Sequence, residues 1–311
     1  MTMLAEMLSP DFLLRNALVA SVLVGLVCPL VGVYFVLRRM IFLGVALPQL
    51  SAAGVACAFL LTSLAGVHEH GEQTERLLAM AGSLGFAFVG LLVLAALERQ
   101  GRETLEARIG VTYAFAAAAS ILFVSADPYG EAEMTHLLKG DIVTTTASSL
   151  RLLAGVLGAV ALALFALRTE LLLVSFDRDM AVVLGKHAAL WDTVLYLLIG
   201  VTISFGVMTA GPLVTFGFLI APPLTARLVT RHMLSFSLAA SAIGAATAFT
   251  GFYVSYRLDL PLGPTDVALA IVVLAIVGTL RGLVRAVRAR RGRLMEVGST
   301  PTTGRGARRS P

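Results

Sequence analysis

Apolar runs recur along almost the whole sequence, each about as long as a bilayer is thick and each bounded by charged or turn-forming residues. Crossing ~30 Å of hydrocarbon takes about 20 mostly apolar residues in a helix, because a backbone without water must satisfy its own polar groups. Runs at 13–37, 41–65, 77–97, 109–126, 149–167, 190–209, 211–230, 233–256 and 265–281 meet that requirement. The expected fold class is therefore all-α, a polytopic membrane protein with about nine transmembrane helices and a cytoplasmic helix between two of them. Composition agrees: 58% of residues are hydrophobic and 14% charged, where soluble domains carry about a quarter charged residues.

Lysine and arginine are distributed unevenly between the two ends of these spans. One end collects Arg38, Arg39, Arg99, Arg102, Arg108, Arg168, Arg178, Lys186, Arg227, Arg231 and an arginine-rich tail, and the other has little beyond Arg76, Lys139 and Arg257. Short cytoplasmic loops hold the excess of basic residues, so the C-terminus is expected inside and the N-terminus outside. The first residues lack a basic stretch and a small-residue cleavage site, which reads as a retained first helix. Residues 1–285 then form the membrane domain. Residues 286–311 form a basic tail that starts as a helical extension and ends in Gly, Ser, Thr and Pro, too polar to fold. Contact with anionic lipid of the bilayer suits it, and no nucleic-acid partner is expected.

One stretch stands apart, Leu171 to Leu190, a charged island between two apolar runs on the basic side. Asp177 is placed to cap a short helix, and Met180, Val183 and Leu184 recur at helical spacing. Gly185 follows where a left-handed helix end is cheapest. The spacing predicts a single amphipathic helix of roughly two turns, about 12 Å long. A surface connector and a partner-docking element share that pattern.

The sequence carries no nucleotide-binding GxxxxGK[ST] loop and neither HExxH nor GxSxG, so no enzyme active site and no cofactor bound by this chain are expected. Cys28 and Cys57 lie in apolar runs without ligand-like spacing and read as small buried hydrophobes. The carboxylates nearest the spans, Glu98, Asp192 and Asp266, fall at span ends. Ion-driven transporters keep such a group near the midplane, so the energy is expected to come from another chain.

Five stretches, in order, resemble the membrane subunit of zinc/manganese-type metal ABC importers, the ZnuB-like permeases. They are Arg38-Arg39-Met40 with Gly44, Leu47, Ser51 and Gly54-Val55-Ala56; Ile109-Gly110 with Leu137 to Asp141; Leu172 to Asp177 with Ala181 and Gly185; Gly211 to Arg227; and Leu258 to Gly263. The resemblance implies a permease of the bacterial inner membrane importing a divalent metal. It implies a homodimer, or a dimer with a related permease, fed by an extracytoplasmic substrate-binding protein and driven by ATP on cytosolic ABC ATPase subunits. In that frame Ser175, Phe176, Asp177, Met180, Val183, Leu184 and Gly185 become the ATPase-coupling residues. Pro222 and Pro223, which lack backbone N–H groups inside a span, are read as a helix kink.

The sequence departs from the family at the second span. The family places an aspartate after the glycine and a histidine four residues later, on one helix face, where this chain has Val45 and Gln49. Valine cannot coordinate a metal and an amide oxygen suits only harder cations, so no metal site is assigned there. The histidines elsewhere do not replace the pair: His68, His70 and His136 fall in outer loops and His187 and His232 in inner ones. Gln49, Ser51 and Thr215 are the candidate pathway residues. Two alternatives stay open: a permease for a small organic solute or metal chelate, and a non-transporting scaffold derived from a permease.

Overall fold

The computed structural model describes Phe12 and residues 14–64, 72–98, 105–127 and 142–298. The His68-Glu69-His70 cluster, Arg99, Arg102, most of the outer loop with His136 and Lys139, and residues 299–311 lie outside the described residues. Ten helices follow in order: α1 Arg15–Arg38, α2 Leu43–Leu64, α3 Glu72–Glu98, α4 Leu105–Ala126, α5 Ala147–Ala166, α6 Arg168–Phe176, α7 Arg178–Val183, α8 Ala188–Val229, α9 Met233–Leu258 and α10 Leu262–Gly298. Among the described residues seven of them are long and apolar enough to cross a membrane. α3 adds a shorter apolar stretch, Leu77–Val93. The basic tail continues α10 as helix as far as Gly298.

α8 has 42 residues, which as a straight helix would reach about 63 Å, twice the hydrocarbon core. It is not straight. Gly211 has φ 83 and ψ 165 inside otherwise helical backbone, and the chain reverses there. A Cβ on Gly206 would stand 2.9 Å from Thr215 Oγ1, although nine residues of straight helix would separate them by roughly 13 Å. Both ends of α8 also meet the C-terminal end of α1: Asp192 pairs with Arg38, and Arg227 donates to the carbonyl of Val36. α8 is thus a hairpin of two spans, 188–210 and 212–229, as the two apolar runs predict. With α3 and both arms of α8 counted, the described residues supply about nine segments that run the length of the bundle.

α1, α2 and α8 form its centre. The buried share of their apolar windows is 72%, 67% and 61%, against 17% for α4, 22% for α5 and 11% for α10. α1 packs between α8 and α9, and α2 between α3 and α4. In lipid the hydrophobic effect does not drive spans together, so close backbone approach at small residues must supply the contact. Gly25 of α1 meets Gly244 of α9, and Gly54 of α2 meets Gly82 of α3, each leaving no room for a Cβ. At α1 and α8 the device is different. Pro223 lacks the N–H that would bind the Leu219 carbonyl, and that oxygen sits where a Cβ on Gly32 would be. Pro222 and Pro223 keep helical φ/ψ, and the non-helical backbone inside α8 is at Gly211.

Candidate coupling face and pathway

The island between α5 and α8 contains two helices where the spacing predicted one. α6 begins directly after α5 at Leu167, whose φ of −95 and ψ of 11 bend the chain. Asp177, in extended conformation, separates α6 from α7. Its Oδ1 accepts the backbone N–H of Met180 at 2.9 Å, the cap expected from sequence. Beyond α7, Gly185 takes φ +75, and the N–H of Lys186 bonds the carbonyl of Ala181. α6 remains legible in hindsight as Leu171 and Val174, three residues apart and both buried.

This pair rests on the bundle through a small apolar cluster of Val174, Ala181 and Ala188, with Leu173 and Trp191 against it. Its outer side is bare. Phe176 is 62% exposed, Met180 49%, Val182 59%, Val183 80% and Leu184 58%. The patch lies at the end of the bundle that carries Arg38, Arg178, Lys186 and Arg227, where charged side chains border it. Exposed apolar side chains clustered in this way mark a surface that meets a partner, a membrane or a ligand.

The pathway candidates point three ways. Gln49 Nε2 donates to Ser120 Oγ of α4 at 3.3 Å, and Val45, one turn before it, is also half-buried. Ser51 is fully buried and shares a 2.6 Å hydrogen bond with Ser83 of α3. Thr215 donates to the Gly211 carbonyl at 2.8 Å, so its hydroxyl serves the hairpin bend. Among the described residues no three His, Cys, Asp or Glu side chains group as a metal site. His187 and His232 start α8 and α9 without capping them. Cys28 is buried and Cys57 half-buried, both as free thiols.

One polar pair went unremarked in the sequence. Asp266 stands at the end of a span, as read, but it is fully buried in the first turns of α10, where it accepts a 3.1 Å hydrogen bond from Ser21 Oγ of α1. Its Oδ1 faces Gly251 of α9 so closely that a Cβ there would collide. The available signal was an aspartate in an apolar window opposite a glycine-containing helix. Nothing local tells that Ser21, 245 positions away, completes it.

The sequence model of the ABC 3 transport family, ABC-3, matches residues 11–281. The chain is 24% identical over 250 residues to a manganese import system permease protein of Streptococcus parasanguinis, covering 80% of this chain and 84% of the relative. It is 27% identical over 264 residues to a manganese transport system membrane protein of Listeria monocytogenes, covering 85% and 89%. A probable iron transport system membrane protein of Haemophilus influenzae matches at 25% over 270 residues, covering 86% and 89%. Among solved structures, PsaBC from Streptococcus pneumoniae in complex with Fab shares the fold at TM-score 0.73 and 22% identity, covering 86% of this chain and 91% of that one. An inward-facing putative metal-chelate type ABC transporter does so at TM-score 0.63 and 18% identity, covering 86% and 84%. The helical bundle and its short helix pair are thus the frame of a permease, and the chain belongs to the ABC 3 transport family, whose members are membrane subunits of metal ABC importers and not enzymes.

Proposed function

We propose that this protein forms the membrane path of an importer for a divalent metal ion of the manganese, iron or zinc group, with ATP hydrolysed on separate cytosolic subunits that dock on α6 and α7. The observation carrying this reading is the exposed patch of Phe176, Met180, Val182, Val183 and Leu184, held at the basic end of the bundle by the Asp177 cap. The excess of arginine at that end puts it in the cytoplasm, with the C-terminus, and leaves the N-terminus outside. The names of the relatives support a metal cargo, with manganese the commonest. A second copy or related permease completes the path, and an extracytoplasmic binding protein supplies the substrate at the end where α2 finishes and α3 begins.

The test is a substitution on the patch. Val183→Asp and Met180→Glu place a charge into a mostly apolar contact, at a cost of several kcal/mol unless it is paired. Both side chains are exposed in the free chain, so folding and insertion are expected to stay intact. Co-purification with the ATPase subunits and metal uptake should fall together. Wild-type yield of the complex with unchanged uptake refutes the docking surface. A chelate or organic solute is the second reading, favoured by the absence of any carboxylate or imidazole at Val45 and Gln49. Uptake assays with labelled manganese, iron, zinc and cobalt separate the two, because bare-ion uptake is expected only under the first. A scaffold would show no substrate-stimulated ATP hydrolysis at all.

A further inference from the structure

The end of the bundle that carries α6 and α7 contains a chain of polar contacts that the docking reading leaves unused. Asp192, in the second turn of α8, pairs with two arginines at once: Oδ1 lies 2.8 Å from Arg38 Nη2 of α1, and Oδ2 lies 3.4 Å from Nη2 of Arg178, the first residue of α7. Arg38 also donates from Nε to Ser175 Oγ of α6 at 3.1 Å, and its guanidinium lies 5.7 Å from the centre of the Tyr196 ring. Ser175 in turn donates to the carbonyl of Leu171 at 2.6 Å, which keeps its lone pairs turned to Arg38. α6, α7, α8 and α1 therefore meet in one set of charged contacts.

The two ion pairs of Asp192 differ in exposure. The side chains of Arg38 and Asp192 are 11% and 15% exposed, while Arg178 is 54% exposed. A shielded ion pair with added hydrogen bonds keeps its geometry, whereas an exposed one exchanges readily with water. The inner pair thus joins α1 and α8, two of the three central spans, and the outer one ties α7 to that joint. At the same end Arg227 donates to the Val36 carbonyl and Arg281 to that of Arg227, linking α1, the returning arm of α8 and α10.

We infer that Asp192, with Arg38 and Arg178, is the joint through which movement of the coupling segment reaches the central spans. Asp192 and Arg38 are positioning residues in this role, since neither touches ATP or cargo. The inference rests on α6 and α7 being the docking element. Its physical basis is that a six-residue helix seated on a three-residue apolar cluster transmits a push poorly by itself, whereas a carboxylate clamped from both sides constrains direction as well as distance.

The experiment uses the full transporter with its own ATPase subunits and binding protein in liposomes, reading labelled manganese moved per ATP hydrolysed. Asp192→Asn keeps size and one acceptor oxygen but removes the charge and the second acceptor that the two arginines share. Its manganese-to-ATP ratio should fall about fivefold or more, the lower end of ordinary coupling energies, with the ATPase still bound. Arg178→Ala should lower the ratio less, and Arg178→Lys should recover most of it. Spin labels at Val183 and Phe42, both exposed, give a second readout that needs no cargo. Their separation should stay narrow through nucleotide binding in the wild type and broaden in Asp192→Asn and Arg178→Ala. Unchanged ratio and unchanged label distances in these variants, with the ATPase bound, overturn the joint and leave the docking reading standing. Loss of ATPase binding in Val183→Asp is the separate outcome on which docking depends. If Asp192→Asn does not assemble, the two Arg178 variants decide alone, because that side chain is exposed.

Discussion

Replacing Gly211 with alanine isolates the conformational demand at the turn of the α8 hairpin. At φ 83 and ψ 165 the residue occupies a region open essentially to glycine, and an L side chain held there costs about 1–3 kcal/mol. The strain could be relieved only by straightening the turn. That is not available, because a continuous 42-residue helix would carry Arg227 about 50 Å from Asp192, while both must reach the end of α1. Straightening would also part Gly206 from Thr215 and expose the α1 contacts of the returning arm. The strain therefore remains in the native state. Against a net stability of about 5–15 kcal/mol, it should lower the thermal unfolding midpoint in detergent by several degrees. Gly155→Ala is the matched control. That residue is helical with open space around it, so alanine there should gain about 0.5–1 kcal/mol. A Gly211→Ala protein that melts at or above the wild type refutes the hairpin geometry.

Further outcomes follow from other contacts. Gly32→Ala sets a methyl against the Leu219 carbonyl freed by Pro223, and should cost at least the ~1–3 kcal/mol of ordinary overpacking, read as reduced thermal stability; a neutral result contradicts the α1 and α8 contact. Ser51→Ala should destabilise by about 1–3 kcal/mol by orphaning Ser83, while the Ser51→Ala, Ser83→Ala double variant should recover much of that loss in the same melt; additive losses would mean the two hydroxyls are not partners. Val45→Asp with Gln49→His places two metal-binding groups one helical turn apart, and the purified double variant should gain zinc or manganese binding over the wild type by titration with the metal alone. Gln49 is freed for that change at the loss of a 3.3 Å bond to Ser120.

The limits of local information show at particular residues. The Asp177 cap and the Gly185 end follow from rules that act within a few positions, and each is found where the spacing puts it. α6 escaped the same reading because its apolar residues from Leu171 are cut off from the run of α5 by Arg168, Thr169 and Glu170, and only the fold shows the bend at Leu167 and the burial of Leu171 and Val174. The candidate pathway residues illustrate the opposite case. Nothing near Gln49 or Ser51 says that one faces Ser120 of α4 and the other Ser83 of α3, since that depends on which helix lies on each side of α2.

What the sequence alone determined is the set of apolar spans and roughly where each begins and ends. The reason is that a bilayer leaves each segment no choice: every backbone group must be satisfied within its own helix, so length, apolarity and flanking charge are sufficient. The tertiary structure decided which spans occupy the centre, how α8 folds back at Gly211, and that Arg38 finds Asp192 and Ser21 finds Asp266. Those choices turn on where small residues let backbones approach and where buried polar groups find partners far along the chain, and both are properties of helix pairs, which no single run of residues contains.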